Sequence, residues 1–130
     1  MGTQERKARE KARRRESIMN AAKKLIALAG VEEMSMNQLA DAVELNKATL
    51  YLYFQSKDDL IDAIVVEGLT GLLKEQREAE RESDNGRERL LNLITTWFAF
   101  YKKHPVYFYT MNHQERRKVR ERLASPYSQE

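Results

Sequence analysis

SMNQLADAVELNKATLYLYFQSKDDL, residues 35–60, is the stretch whose reading decides the fold. Ser35 stands just before a run in which Leu39, Ala40 and Val43 recur at helical spacing, and its hydroxyl can accept from a backbone N–H of the first turn. Glu44, Leu45 and Asn46 break the pattern after about two turns. Asn46 then stands where a second helix needs a cap, with Leu50 and Phe54 at i, i+4 on one face. Two short helices joined this tightly cannot lie antiparallel with both apolar faces buried on one preceding helix. They are expected to cross steeply, as a helix-turn-helix.

With Leu50 and Phe54 turned inward, a rotation of roughly 100° per residue sends Ala48, Thr49 and Leu52 outward and leaves Lys47, Tyr51 and Tyr53 on the flanks. A merely solvated face normally carries Glu, Lys and Arg. Thr, Ala and flanking Tyr or Lys suit base edges and phosphates in a major groove. Downstream, Ser56 with Asp59 resembles a capping box, so a further helix starts sharply there. Lys57 in its first turn opposes the helix macrodipole, which a phosphate partner explains better than helix stability does.

Upstream, Ile18, Ala21, Ala22, Leu25, Ile26 and Ala29 form one apolar stripe. The helix carrying it is expected to begin near Arg9 or Arg13 and to end at Gly30, a left-handed cap. Ahead of it the charge is concentrated. The whole chain carries +3, but residues 1–16 hold seven basic and three acidic side chains, a local +4, and the other 114 residues carry −1. A basic lead-in of this kind suits a position along or into a DNA groove, where it displaces counterions.

The segment KATLYLYFQSKDDL, preceded by SMNQLADAVELN and by an amphipathic helix ending in ALAG, resembles the DNA-binding domain of the TetR family of bacterial transcriptional regulators. The likeness runs from about residue 13 to residue 65 without a gap. It rests on Ala22, Gly30, Leu39, Ala40, Thr49, Leu50, Tyr51, Tyr53, Phe54, Lys57 and Leu60. The resemblance implies an all-α fold: a basic amino-terminal arm over residues 1–12, a three-helix helix-turn-helix domain over 13–56, and a helical regulatory and dimerisation region over 57–130 that is incomplete relative to the family. It also implies roles. Arg14 and Ser35 go to phosphate, Asn37 to a base edge or its phosphate, and Lys47, Ala48 and Thr49 to the groove. Tyr51, Tyr53 and Lys57 go to phosphates. Met36 stands where relatives usually carry Thr, which leaves only its backbone N–H for an anion. Glu44 stands where Gly is usual, and a positive φ there costs a Glu on the order of 1 kcal/mol.

Beyond Lys57, Leu60, Ile61, Ile64, Val65, Leu69, Leu72 and Leu73 continue one long helix. Ser83-Asp84-Asn85-Gly86 breaks it. An apolar helix follows as far as His104, Pro105 opens the next as its first residue, and Ser125-Pro126 ends the pattern. By the resemblance this region binds a small hydrophobic effector and pairs two subunits as a homodimer. Trp97, Phe98, Tyr101, Tyr107, Phe108 and Met111 are the candidates to line a pocket, although aromatic residues at helical spacing are more often core.

Other classes find little support. There is no Cys, and His104 and His113 have no acid at metal-ligand spacing; nor does a phosphate-cradling Gly loop occur, so neither an enzyme nor a metal or other cofactor is expected. No apolar run is long enough to span a membrane and no secretory leader is visible, which leads to a cytoplasmic expectation. The expected function is that of a sequence-specific DNA-binding regulator, a repressor released by an effector. The competing class is a truncated interaction module that pairs with a longer relative or occupies duplex DNA without sensing a ligand.

Overall fold

The computed structural model describes residues 2–124, and the expected break at Ser125-Pro126 lies outside them. Among the described residues there are six helices and no strand: α1 Gly2–Ala29, α2 Met36–Ala42, α3 Lys47–Tyr53, α4 Lys57–Arg81, α5 Gly86–Lys103 and α6 Pro105–Leu123. The chain divides into two compact units between Leu60 and Ile61, inside α4.

The first unit is organised by its caps. Ser35 Oγ accepts from the Gln38 N–H at 3.1 Å, and Gln38 Oε1 accepts from the Ser35 N–H at 3.2 Å. This reciprocal capping box satisfies two otherwise orphaned donors. Asn46 Oδ1 accepts from the Thr49 N–H at 2.8 Å and fixes the start of α3. Between them, the Leu45 N–H donates to Ala40 O at 3.0 Å and the Glu44 N–H to Asp41 O at 3.2 Å. Those two bonds are a Schellman motif, which requires its C′ residue in the left-handed region. Glu44 occupies that position at φ 56°. Gly30, at φ 92°, ends α1 in the same region and donates to Ile26 O at 2.8 Å.

Ile18, Met19, Ala22, Ile26, Val31, Met34, Met36, Leu39, Ala40, Leu50, Phe54 and Leu60 are buried in this unit. Expected stripe members fall short in places: Ala21, Leu25 and Val43 are half-buried and Ala29 is exposed, whereas Met19 takes an inward place.

One expectation about α1 is corrected. The helix begins at Gly2, so residues 2–12 are not a separate arm but the first three turns of a 28-residue helix. The cause is local. Gln, Glu, Arg, Lys and Ala are all strong helix formers, and Arg6 lies 3.9 Å from Glu10 at i, i+4.

In the second unit Leu72, Phe100 and Tyr101 form the buried centre, with Trp97, Tyr107 and Met111 packed against it. Gly68 lies directly beneath Tyr107. A Cβ there would come within 2.7 Å of the ring. The Tyr107 hydroxyl donates to Glu67 Oε2 at 2.9 Å, and Gln114 Nε2 donates to the Asp62 carboxylate. Pro105 opens α6 with His104 as its cap residue. No helix among the described residues is long and apolar enough to cross a membrane.

Candidate nucleic-acid interface

α3 is two turns long, and its burial is one-sided. Leu50 is fully buried and Phe54, at the C-cap, nearly so, while Lys47, Ala48, Tyr51 and Leu52 are exposed and Thr49 and Tyr53 lie half-buried at the edges. Leu52 is 81% exposed. With its exposed neighbour Tyr51 it gives this face of the two-turn helix apolar surface that the core does not use.

The helix is held from behind by α1. Arg15 places its guanidinium 5.1 Å from the centre of the Phe54 ring and donates from Nη1 to Met19 Sδ at 3.3 Å. The cation–π contact secures the carboxyl end of α3, and the Asn46 cap secures the amino end. Neither α2 nor α3 has an acidic residue in its first turn, so the positive ends of both short helices remain uncompensated from within.

The other sequence-selected residues are less uniform. Asn37 and Arg14 are exposed and Ser35 is half-buried. Arg14 lines an open concavity with Val43, Glu44 and Leu45 at the α2–α3 turn. Met36 is 8% exposed, and its side chain belongs to the core. A DNA contact at that position is therefore limited to its backbone N–H. Lys57 is half-buried, and its Nζ donates to Glu32 O at 3.1 Å. That bond ties the start of α4 to the loop after α1 and gives the lysine a structural reason for its place against the macrodipole. Ser56 Oγ accepts from the Asp59 N–H at 3.1 Å, as the capping signature required. Sequence reasoning missed Gln38 as the second half of the α2 capping box, although Ser followed three residues on by Gln is the signal that finds it.

The six residues considered for an effector pocket come together mainly as packing. Tyr101 is buried, its ring centre lies 4.9 Å from Trp97 and 5.7 Å from Phe108, and its hydroxyl donates to Met111 Sδ at 3.5 Å. Burial raises the pKa of that hydroxyl above its ordinary 10.0. Tyr107 stacks on Phe100 at 5.8 Å. Phe98 instead points outward and, with Leu93, Ile94 and Trp97, lines an open apolar groove of about 260 Å³.

Two capped short helices on one scaffold helix, the second presenting a mixed face of Lys, Ala, Tyr and Leu, define a helix-turn-helix protein of the all-α class. Residues 18–64 match the family described as bacterial regulatory proteins, tetR family. That match lies over the helix-turn-helix and the start of α4, and there the chain is similar to TetR family regulators. It is 29% identical over 87 residues to the HTH-type transcriptional activator FasR of Mycolicibacterium smegmatis, covering 67% of this chain and 40% of that protein. It is 30% identical over 86 residues to the HTH-type transcriptional repressor KstR2 of Rhodococcus jostii, covering 66% and 42%. The crystal structure of the TetR family transcriptional regulator PfmR from Thermus thermophilus superposes with a TM-score of 0.62 at 31% identity, covering 72% of this chain and 51% of that one. The chain thus spans about two-fifths of the length of those two curated relatives.

Proposed function

We propose that this chain is a sequence-specific DNA-binding transcription regulator that places α3 in a major groove. The observation that carries the reading is the outward set on α3, Lys47, Ala48, Tyr51 and Leu52, held rigid by a cap at one end and a cation–π contact at the other. Lys47 and Thr49 address base edges, Ala48 and Leu52 offer apolar contact to thymine methyl groups, and the Tyr51 and Tyr53 hydroxyls reach phosphates. Asn37, Arg14 and the Ser35 hydroxyl proton add contacts at the groove edge. Lys57 spends one of three ammonium donors on Glu32 O, which leaves two for a phosphate.

A single reader of this size holds one half-site weakly, so the functional unit in this reading is a homodimer on half-sites about 34 Å apart. Repression relieved by a small apolar effector is the mode we assign, following the relative named a repressor; the relative named an activator makes the sign a point to measure. The exposed face of α5, with Leu90, Leu91, Ile94 and Phe98, also fits the second reading, a module that pairs with a longer relative. Sedimentation of the chain alone distinguishes the two, because a stable dimer supports the regulator and a monomer supports the module.

The site itself is tested by titrating Thr49→Ala against a preferred duplex and against random duplex at two salt concentrations. The expected loss is about 1–3 kcal/mol on the preferred duplex alone. An equal loss on both would make Thr49 a phosphate contact, and no loss on either would remove it from the interface.

A further inference from the structure

Residues 2–17 of α1 are all exposed, so this part of the helix runs past the core of the first unit. At about 1.5 Å per residue it is roughly 24 Å long. Its charges fall into two stripes. Lys7, Lys11 and Arg14 recur at i, i+4 and i+7, and Ile18 at i+11 continues the same stripe into full burial. This stripe therefore prolongs the face by which α1 meets the helix-turn-helix. Arg6, Arg9 and Arg13 run along another side, where Glu10 pairs with Arg6. At the root of the extension, Arg14 borders the α2–α3 turn and Arg15 is held over Phe54 at the end of α3. The inward stripe thus leaves the core at the level of the α2–α3 turn.

Being helical limits what the extension can do. A helix is ~10–12 Å across with its side chains, whereas a minor groove is ~6 Å wide. Flexible basic arms thread into that groove, but this one is too thick. We propose that Lys7, Lys11 and Arg14 form a rigid rail along the phosphate backbone of duplex DNA flanking the sequence read by α3. The inference rests on the reading of α3 as the DNA-contacting helix. The rail adds affinity without sequence preference and steepens the salt dependence.

The test uses the full chain and a random-sequence duplex about three helical turns long, ~10.5 base pairs each. Lys7→Ala with Lys11→Ala removes two phosphate contacts, and the slope of log affinity against log salt is expected to flatten by about 2. Both positions are exposed and Ala is a stronger helix former than Lys, so circular dichroism is expected to show an intact fold. Arg6→Ala with Arg9→Ala, on the other side, is expected to change the slope by less than half as much. Saturating the duplex with the minor-groove ligand netropsin is expected to leave the contribution of the rail in place. An unchanged slope for the Lys7 and Lys11 variant, while Lys47→Ala still weakens binding to a preferred duplex, overturns the rail and leaves the reading of α3 standing. Loss of the contribution under netropsin overturns it in favour of groove insertion. Absence of duplex binding by the unsubstituted chain overturns both.

Discussion

The two units spend their apolar residues differently. In the first, residues from α1, α2, α3 and the start of α4 close one core, and the large hydrophobics left well outside it are Leu28 and the Tyr51 and Leu52 of the reading face. In the second, Leu72, Phe100 and Tyr101 make a thin centre, while Val66, Leu69 and Leu73 on α4 and Leu90, Leu91, Ile94 and Phe98 on α5 remain exposed. A unit whose exposed large apolar residues are few, Leu28 on α1 and two neighbours on α3, has closed its core and displays its remaining apolar surface on one short helix. A unit with apolar stripes open along two helices has surface still to cover. Stability in the isolated chain should accordingly reside in the first unit, and contact with other protein in the second.

The contrast is broken or sharpened by substitution. The largest effect is expected from Leu50→Ala, which empties a fully enclosed site beneath α3 and costs about 3 kcal/mol. Leu90→Ala on the open face of α5 is expected to stay within about 0.5 kcal/mol of the unsubstituted chain. Urea unfolding of both variants checks the pair, and comparable losses would erase the distinction. Next comes Gly68→Ala. Its new Cβ meets Tyr107 Cβ and Cγ at 2.7–2.8 Å, atoms that cannot swing aside without moving the whole ring. Overpacking outweighs the gain in helix propensity, for a net loss of about 1–2 kcal/mol in the second unit. In a Tyr107→Ala background, which removes the ring but keeps Cβ, Gly68→Ala should cost less than it does in the unsubstituted chain if the clash with the ring is its cause.

A smaller change of opposite sign is expected in the first unit. Glu44→Gly relieves a side chain held at φ 56° and should stabilise the domain by up to about 1 kcal/mol, seen as a higher melting temperature. Smallest at neutral pH is Tyr101→Phe, which forfeits a long O–H to sulfur contact. Its signature lies in alkali. Because burial raises the Tyr101 pKa, folding favours the neutral phenol; that stability is fully present below pH 10.0 and is lost as pH rises through the folded value. The Phe variant should lack this component of alkaline destabilisation, and identical melting profiles above pH 10 would refute the assignment.

How far the sequence foretold these two units follows from what each is built of. In the first, local chemistry and tertiary packing agree. Ser35 and Asn46 cap because short polar side chains before apolar runs have few alternatives, and Glu44 adopts positive φ because a Schellman turn demands it there. On α3 the inward placement of Leu50 and Phe54 gave the outward Ala48 and Leu52, whereas Thr49, expected outward, is half-buried and Lys47 and Tyr51, expected on the flanks, are exposed. The helical state of residues 2–12 was harder to read, since dense charge suits a solvated arm and an exposed helix equally. Met36 was expected from the resemblance to offer DNA only its backbone N–H; that its side chain is buried follows from the phase of α2, which the capping box sets. In the second unit an apolar stripe tells that a helix must bury something without telling what. Trp97, Tyr107 and Met111 pack on Tyr101, whereas Phe98, one residue from Trp97, faces out. Periodicity cannot separate those fates, because the partner helix decides them.

The claim on which the account rests is that the exposed face of α3 reads duplex sequence. Selection of bound duplexes from a fully random library by the intact chain, followed by sequencing of successive rounds, tests it most directly. The account predicts an enriched motif, made of two related halves about one helical turn apart if the chain pairs, with positions that become degenerate when the selection is repeated with Thr49→Ala. A chain that retains duplexes without enriching any sequence, or a motif unchanged by Thr49→Ala and Lys47→Ala alike, would contradict it.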